Sequence, residues 1–368
     1  MEQGTAAVAG FGDAGYARVE PAILQPLEPF LDLSGEDIRR RMFVTQDGEG
    51  RDWCLRPEYT IPVAIQHLEN ATNGDGAYCY AGPVFRLRSG EAGEFAQAGL
   101  ESFGRGDRAA ADAEIMGLTI EAVAGLGLAA PVIRMGDAAI LNAFLDGLDV
   151  PSAARRRLFR AVARADADPL ASLETPDVAT SGAHAGLIAA LEGQDPKAAK
   201  AFVEDVLSIA GISNVGGRSA RDIAERFLAK AAEKDQGVSD HARQVLAGIF
   251  AISGDPDSAS GAMRELASGA GIDIGHVIDA LDERIGFLAA RGVDLDAIAF
   301  STSFARNLDY YTGFVFELAD PARPDSKPVA GGGRYDNLLQ RLGASAAVPA
   351  VGASLWLDRL ATARGERA

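Results

Sequence analysis

A chain of 368 residues, 48% hydrophobic and 24% charged, has the composition of a globular protein with room for a substantial core. Its formal net charge of −17, from 35 Lys and Arg against 52 Asp and Glu, argues against gripping a polyanion such as tRNA, and its basic runs are short, Arg39 to Arg41 and Arg155 to Arg157. Cys54, Cys79 and four scattered histidines exclude a disulfide scaffold or a zinc cluster, so no metal and no cofactor is expected. Glu2 stands where a secretory leader would be basic and no uncharged stretch approaches a membrane span, so the expected location is the cytoplasm, without membrane contact.

In chain order, residues 1 to about 15 are small and polar and fit a loose start or a frayed helix. Gly15 to Pro21 forms a short strand that runs into a proline. Arg41 to Leu55 alternates around Asp47-Gly48-Glu49-Gly50, the pattern of a hairpin. It leads through Arg56-Pro57-Glu58-Tyr59-Thr60 into a helix over Pro62 to Leu68, whose first turn Thr60 would cap on residue type alone. Ala77 to Arg88 and Phe95 to Phe103 are a strand and its antiparallel return, joined by a short loop that is acidic at Glu91 and Glu94. Alternation along the return places Gln97 and Glu101 on one face. A helix over Ala109 to Ala124, a strand over Val132 to Met135 and a helix over Ala138 to Gly147 follow.

From Pro151 to Arg291 the chain is alanine-rich and helical, broken at Gly193 to Pro196, Gly211 to Gly217 and Gly254 to Pro256. Three parts are therefore expected: 1–150, a helical insertion over 151–292, and 293–368. His184, His241 and His276 in the insertion suit surface or helix-face positions better than ligation. Val293 to Ser301 resumes as a strand and leads to Phe304 to Leu318, FARNLDYYTGFVFEL, a buried strand entered from a polar turn that carries Arg306, Tyr310 and Tyr311. GGGRYDNLL, Gly331 to Leu339, is expected to turn, its glycines letting the backbone pass close to a ligand or another strand. Asn337 to Leu342 is a short helix, and Ala350 to Leu360 a strand feeding a helix that carries Arg359.

Arg306 to Gly313 followed by Phe316-Glu317 resembles the first histidine-specific signature of histidyl-tRNA synthetases, and Gly332 to Asp336 resembles the second. Arg56 to Thr60 is similar to a third motif of that family, the Arg86 hairpin to class II motif 2, Ala350 to Leu360 to motif 3, and the strand ending at Pro21 to motif 1. The resemblance implies an α+β class II aminoacyl-tRNA synthetase-like core, a mainly antiparallel sheet flanked by helices, with the helical insertion beside it and a homodimer built on motif 1. It also implies a histidine pocket formed by Glu58, Thr60, Gln97, Glu101, Arg306, Tyr310 and Tyr311, and an Arg86 that clasps the α-phosphate of ATP.

Departures from the pattern cluster on the nucleotide side. Arg88 replaces the glutamate that reads adenine, the hairpin loop is shorter and lacks basic residues, and Trp356 stands where the synthetase has a glycine beside the adenine. No anticodon-binding domain is expected after Arg359. This pattern of loss resembles the regulatory subunits of ATP phosphoribosyltransferase. That resemblance implies a non-catalytic chain that activates a short-form catalytic subunit, responds to histidine as effector, and forms a homodimer within a hetero-octamer without tRNA. Two other readings stay open: a paralogue that still makes histidyl-adenylate, which Arg86 and Arg359 would serve, and a free-standing histidine sensor or tRNA-related scaffold.

Overall fold

The computed structural model describes residues 2–33, 36–70, 74–164, 166, 168–173, 214–215, 218–219, 237–304 and 311–365. They fall into two compact units, one comprising Met1–Leu148, Ala163–Ala165 and Val245–Ala368, the other Asp149–Val162 and Asp166–Gln244.

The first unit begins with a helix, α1 (Glu2–Asp13), and a short strand, β1 (Ala17–Arg18). A small sheet follows, built from β2 (Leu24–Pro26), β3 (Val44–Gln46) and β4 (Asp52–Leu55). The hairpin expected around Asp47 is the β3–β4 pair, and Asp47 closes its turn by accepting from the backbone of Glu49 and Arg51 and from the Trp53 indole. These donors hold its carboxyl down to about 2. Next come α2 (Thr60–Glu69), β5 (Gly76–Phe85), β6 (Glu94–Phe103), α3 (Arg108–Gly125), β7 (Val132–Asp137) and α4 (Ala138–Gly147).

In the second unit, α5 (Ser152–Ala163) buries Ala154, Leu158, Ala161 and Val162, the spacing of one helical face, and β8 (Asn214–Val215) pairs with β9 (Arg218–Ser219). The expected break at Gly193 to Pro196 lies outside the described residues, and of the one at Gly211 to Gly217 only Asn214 and Val215 are described. The first unit then resumes with β10 (Ser253–Gly254), α6 (Pro256–Ala270), α7 (Gly275–Ala290), β11 (Ile298–Ser301), β12 (Phe314–Ala319), β13 (Ala330–Arg334), α8 (Leu338–Arg341), β14 (Ala350–Trp356) and α9 (Leu357–Ala363).

The large sheet runs β1-β5-β6-β14-β13-β12-β7-β11-β10. Only the β1/β5 and β11/β7 pairs in it are parallel, so the expected mainly antiparallel sheet is what forms. Register matches one face across four strands. Tyr78, Tyr80 and Gly82 pair with Glu101, Gly99 and Gln97, which in turn pair with Gly352, Ser354 and Trp356, and Gly333 and Gly331 continue the face on β13. Glycines recur on this face because bulky side chains from neighbouring positions lie flat over them.

Three expectations need correction. The glycine run before Arg334 is not a turn but β13, an inner strand between β12 and β14, fully buried. A Cβ at Gly332 would overlap the Gly352 carbonyl, and one at Gly333 the Phe314 carbonyl and the Tyr311 ring, so of the alternatives offered by the sequence, close approach of another strand is seen here. The strand expected over Val293 to Ser301 is confined to β11, because Asp294 caps a short 3-10 turn over Leu295–Ala297. Finally, α6 and α7 fall within the expected insertion of 151–292 but belong to the first unit. Ile278, Leu281, Ile285 and Leu288 of α7 are buried, and Arg284 forms ion pairs with Asp112 of α3 and Asp137 of β7.

Candidate functional site

Glu101 lies at the centre of the shared sheet face and is fully buried. Its carboxylate accepts from the Thr60 hydroxyl at 2.8 Å, from Tyr80 at 3.1 Å and from the Tyr335 hydroxyl. Room for it comes from β14, since a Cβ at Gly352 would overlap both the carboxylate and the Tyr335 hydroxyl. Glu58 sits at the N-terminus of α2, where its two oxygens accept from the backbone N–H groups of Thr60 at 2.6 Å and Ile61 at 2.9 Å. The helix is thus capped by Glu58 and not by Thr60, whose hydroxyl is spent on Glu101. Thr60 links the two carboxylates, donating its N–H to one and its O–H to the other.

Burial dominates the electrostatics. It pushes the Glu101 carboxyl up to about 8, against the three hydroxyl donors and with the nearby charge of Glu58 adding to the rise. It also raises Glu58, opposed by the two N–H donors and by the Arg86 guanidinium. Gln97, two strand positions before Gly99 on the same face, is 1% exposed, and its carbonyl Oε1 has no hydrogen-bond partner among the described residues. A buried amide oxygen left unmet costs free energy unless a ligand or a water satisfies it. Tyr311 is half-buried, its ring lying against Gly333 with its centroid 6.3 Å from that of Tyr335. Hydrogen bonds thus join Glu58, Thr60 and Glu101, Gln97 lies four positions before Glu101 on the same strand face, and Tyr311 packs on Gly333; Arg306 and Tyr310 lie outside the described residues.

Supporting side chains escaped the sequence reading. Tyr80 stacks on Tyr59 with ring centroids 4.2 Å apart, and Arg56 covers Tyr59 at 4.1 Å while donating to the carbonyls of Pro21 and Pro83. Arg56 is 3% exposed and serves as a clamp behind the pocket. A second unread feature is a buried chain of charges, Asp137–Arg284–Asp112–Arg334–Asp336, that ties α3, α7, β7 and β13 together. The two Asp112 contacts carry no local signal, since their partners are 172 and 222 residues away.

On the nucleotide side, the Nε of Arg86 donates to the Pro57 carbonyl at 2.6 Å and its guanidinium lies over Phe95. Arg88 forms ion pairs with Glu91 at 2.9 Å and Asp358 at 3.0 Å, and Lys327 reaches Glu91 at 2.7 Å. These residues, with Phe95 and Arg359, line a cleft of about 580 Å³ in which Arg88, Lys327, Glu91 and Asp358 are paired with one another. Trp356 is 6% exposed and packs in the core cluster that contains Tyr80, Val84 and Phe95, opposite Gln97 in register. Arg359 rests on the Trp356 ring at 4.6 Å and donates to the Pro328 carbonyl. Among the described residues no cluster of acidic, histidine or cysteine side chains could hold a metal ion, and both cysteines are free and buried.

This sheet, its capped carboxylate pocket and its motif 3 helix define a class II synthetase core of the histidyl type. The family described as histidyl-tRNA synthetase matches over residues 4–210 and 201–360. Two solved structures share the fold: an ATP phosphoribosyltransferase regulatory subunit/histidyl-tRNA synthetase from Bacillus halodurans C, with a TM-score of 0.71 at 20% identity, covering 98% of this chain and 77% of that one, and a histidyl-tRNA synthetase from Nostoc sp. PCC 7120, with 0.66 at 16%, covering 98% and 70%. Among curated relatives, ATP phosphoribosyltransferase regulatory subunits of Mesorhizobium japonicum and Allorhizobium ampelinum are 40% and 39% identical over 352 and 357 residues. The alignments cover 94% and 96% of this chain and 93% and 95% of those proteins. The chain belongs to the family of ATP phosphoribosyltransferase regulatory subunits.

Proposed function

We propose that this chain acts as the non-catalytic regulatory subunit of an ATP phosphoribosyltransferase, activating a short-form catalytic subunit and carrying the pocket through which histidine inhibits the first step of histidine biosynthesis. The observation that carries this reading is the contrast between the two halves of the cleft. Gln97 and Glu101 are buried on one sheet face with Gly99 between them, Gln97 with an unmet acceptor and Glu101 with no ion-pair partner among the described residues, as a ligand bearing an ammonium and ring N–H donors would require. The positions that would hold adenine and phosphates are filled by the Trp356 indole and by the ion pairs of Arg88. Such a chain keeps the carboxylates suited to histidine, while the Arg88 charge that ATP would meet is already paired.

Regulation demands a coupling free energy between this pocket and the partner's active site, supplied by a difference in pocket affinity between active and inactive assemblies. A homodimer within a hetero-octamer, with a cytoplasmic location and no tRNA bound, completes the reading; among the described residues no helix is long and apolar enough to cross a membrane. The test is reconstitution. Purified chain added to a short-form catalytic subunit is expected to raise the formation of phosphoribosyl-ATP from ATP and phosphoribosyl pyrophosphate, and histidine to lower it. Failure to bind or stimulate that subunit overturns the proposal. Histidine-dependent exchange of pyrophosphate into ATP by the chain alone would instead favour the adenylate-forming alternative.

A further inference from the structure

Resting on the histidine reading, we propose that Asp112 is a positioning residue for the pocket: from the opposite face of the sheet it holds Tyr335 where that hydroxyl meets Glu101. Alternation sets up the arrangement. Gly333 shares the pocket face, so Arg334 turns to the face covered by α3, Tyr335 back to the pocket and Asp336 away again. The Arg334 guanidinium, 6% exposed, is then gripped on all three nitrogens. Its Nε and Nη2 meet one oxygen of Asp112 at 2.9 and 2.7 Å, Nη1 donates to Asp336 at 2.8 Å, and Nη2 also donates to the Arg108 carbonyl at 3.0 Å. Asp112 is itself fully buried, and its second oxygen accepts from Arg284 of α7 at 2.9 Å.

Both chain neighbours of Tyr335 are thereby anchored, and its own backbone is anchored too. Its N–H donates to the Ala350 carbonyl at 2.8 Å, while Asp336 accepts from the Ala350 N–H at 2.9 Å and donates its own N–H to the Thr312 hydroxyl at 3.1 Å. A tyrosine hydroxyl stands at the far end of a rigid ring, so a small rotation of the backbone carries it out of hydrogen-bond range. Of the three hydroxyls on Glu101, those of Thr60 and Tyr80 come from α2 and β5, and that of Tyr335 from the segment which Asp112 ties to α3 and α7. A buried chain of ion pairs adds little net stability over apolar packing of the same volume, because desolvation offsets the attraction. Its directional bonds fix one geometry, and the geometry fixed here is that of a residue holding the pocket's central carboxylate.

A double-mutant cycle on histidine affinity tests this, with calorimetric titration of the full chain alone and in complex with its catalytic subunit. Asp112→Asn and Tyr335→Phe are each expected to weaken binding by roughly tenfold, a coupling usual within one hydrogen-bond network. If Asp112 acts through Tyr335, the double variant should also be weaker by only roughly tenfold, since the hydroxyl to be positioned is gone. General loosening of the fold would instead multiply the two losses. A double variant weaker by roughly a hundredfold therefore overturns the inference and leaves the histidine reading standing. Wild-type affinity in either single variant does the same. Absence of histidine binding by the wild type in both preparations overturns the inference and the histidine reading together. Should Asp112→Asn fail to fold, Arg334→Lys, which keeps the charge and loses the fork, enters the same cycle with the same outcomes.

Discussion

The hydroxyl of Thr60 donates to Glu101 at 2.8 Å across 41 positions of sequence, while the same residue's N–H donates to Glu58. One residue at a helix N-terminus thus fixes both acidic walls of the pocket. Thr60→Val keeps the shape and removes one donor to a buried carboxyl, so it is expected to cost about 1–3 kcal/mol. Thr60→Ser should restore most of the loss. Urea unfolding of the two variants makes the comparison, and equal destabilisation by both would refute the hydrogen-bond explanation.

The raised Glu101 carboxyl makes stability depend on pH. Between the ordinary value of 4.5 and about 8 the folded state holds a proton that the unfolded state has lost. Stability therefore falls as the pH rises through that window, by on the order of 4 kcal/mol for this one group. Glu101→Gln removes the titration, so its stability relative to wild type should improve from pH 5 to pH 8. Chemical denaturation at several pH values checks this; parallel profiles for the two proteins would show that Glu101 is not raised.

Gly352 is a second sensitive point. A methyl group there would collide with the Glu101 carboxylate and the Tyr335 hydroxyl, both held in place by the surrounding strands. Gly352→Ala is expected to destabilise by about 1–3 kcal/mol and to abolish histidine binding. Gly10→Ala meets open space and serves as the control in the same thermal and calorimetric measurements.

Arg284 and Arg291 both belong to ion pairs, yet their environments differ. The Arg284 side chain is 6% exposed and the Asp112 it meets is 0% exposed, whereas the Arg291–Glu121 pair is 31% and 58% exposed. Arg284→Ala leaves the buried Asp137 carboxylate without its ion pair, while Asp112 keeps Arg334, and should cost about 3–5 kcal/mol. Arg291→Ala, judged on its ion pair, should cost under about 1 kcal/mol. Similar losses in guanidinium unfolding would mean that the buried network carries no special weight.

Trp356, which stands where the family resemblance expects a glycine beside the adenine, is 6% exposed in the core cluster. Trp356→Gly is expected to cost at least about 3–5 kcal/mol through the cavity it leaves. Pyrophosphate exchange should remain absent in this variant, because Arg88 stays paired with Glu91 and Asp358 across the cleft. Recovery of exchange by this single change would show that the indole alone blocks nucleotide chemistry.

Much of the pocket could be read without a structure. Alternation along Phe95 to Phe103 put Gln97 and Glu101 on one face, and they are found there, since a strand's period of two is a local property of the backbone. Motif spacing likewise brought Glu58 and Thr60 to a helix start and Trp356 to the end of a strand. Three matters were decided only in three dimensions. The role of the glycine run depended on which strands flank β13, a question of sheet order that spacing does not address. The grouping of Asp112, Asp137, Arg284 and Arg334 required α3, α7, β7 and β13 to converge. The burial of Glu101, which raises its carboxyl, and its hydrogen bonds from Tyr80, Tyr335 and Thr60 depended on three separate segments meeting. Local periodicity and motif type follow from neighbours along the chain, whereas solvent exclusion and charge pairing follow from neighbours in space, which is why the chain alone named candidate residues and only the tertiary structure showed their burial and their partners.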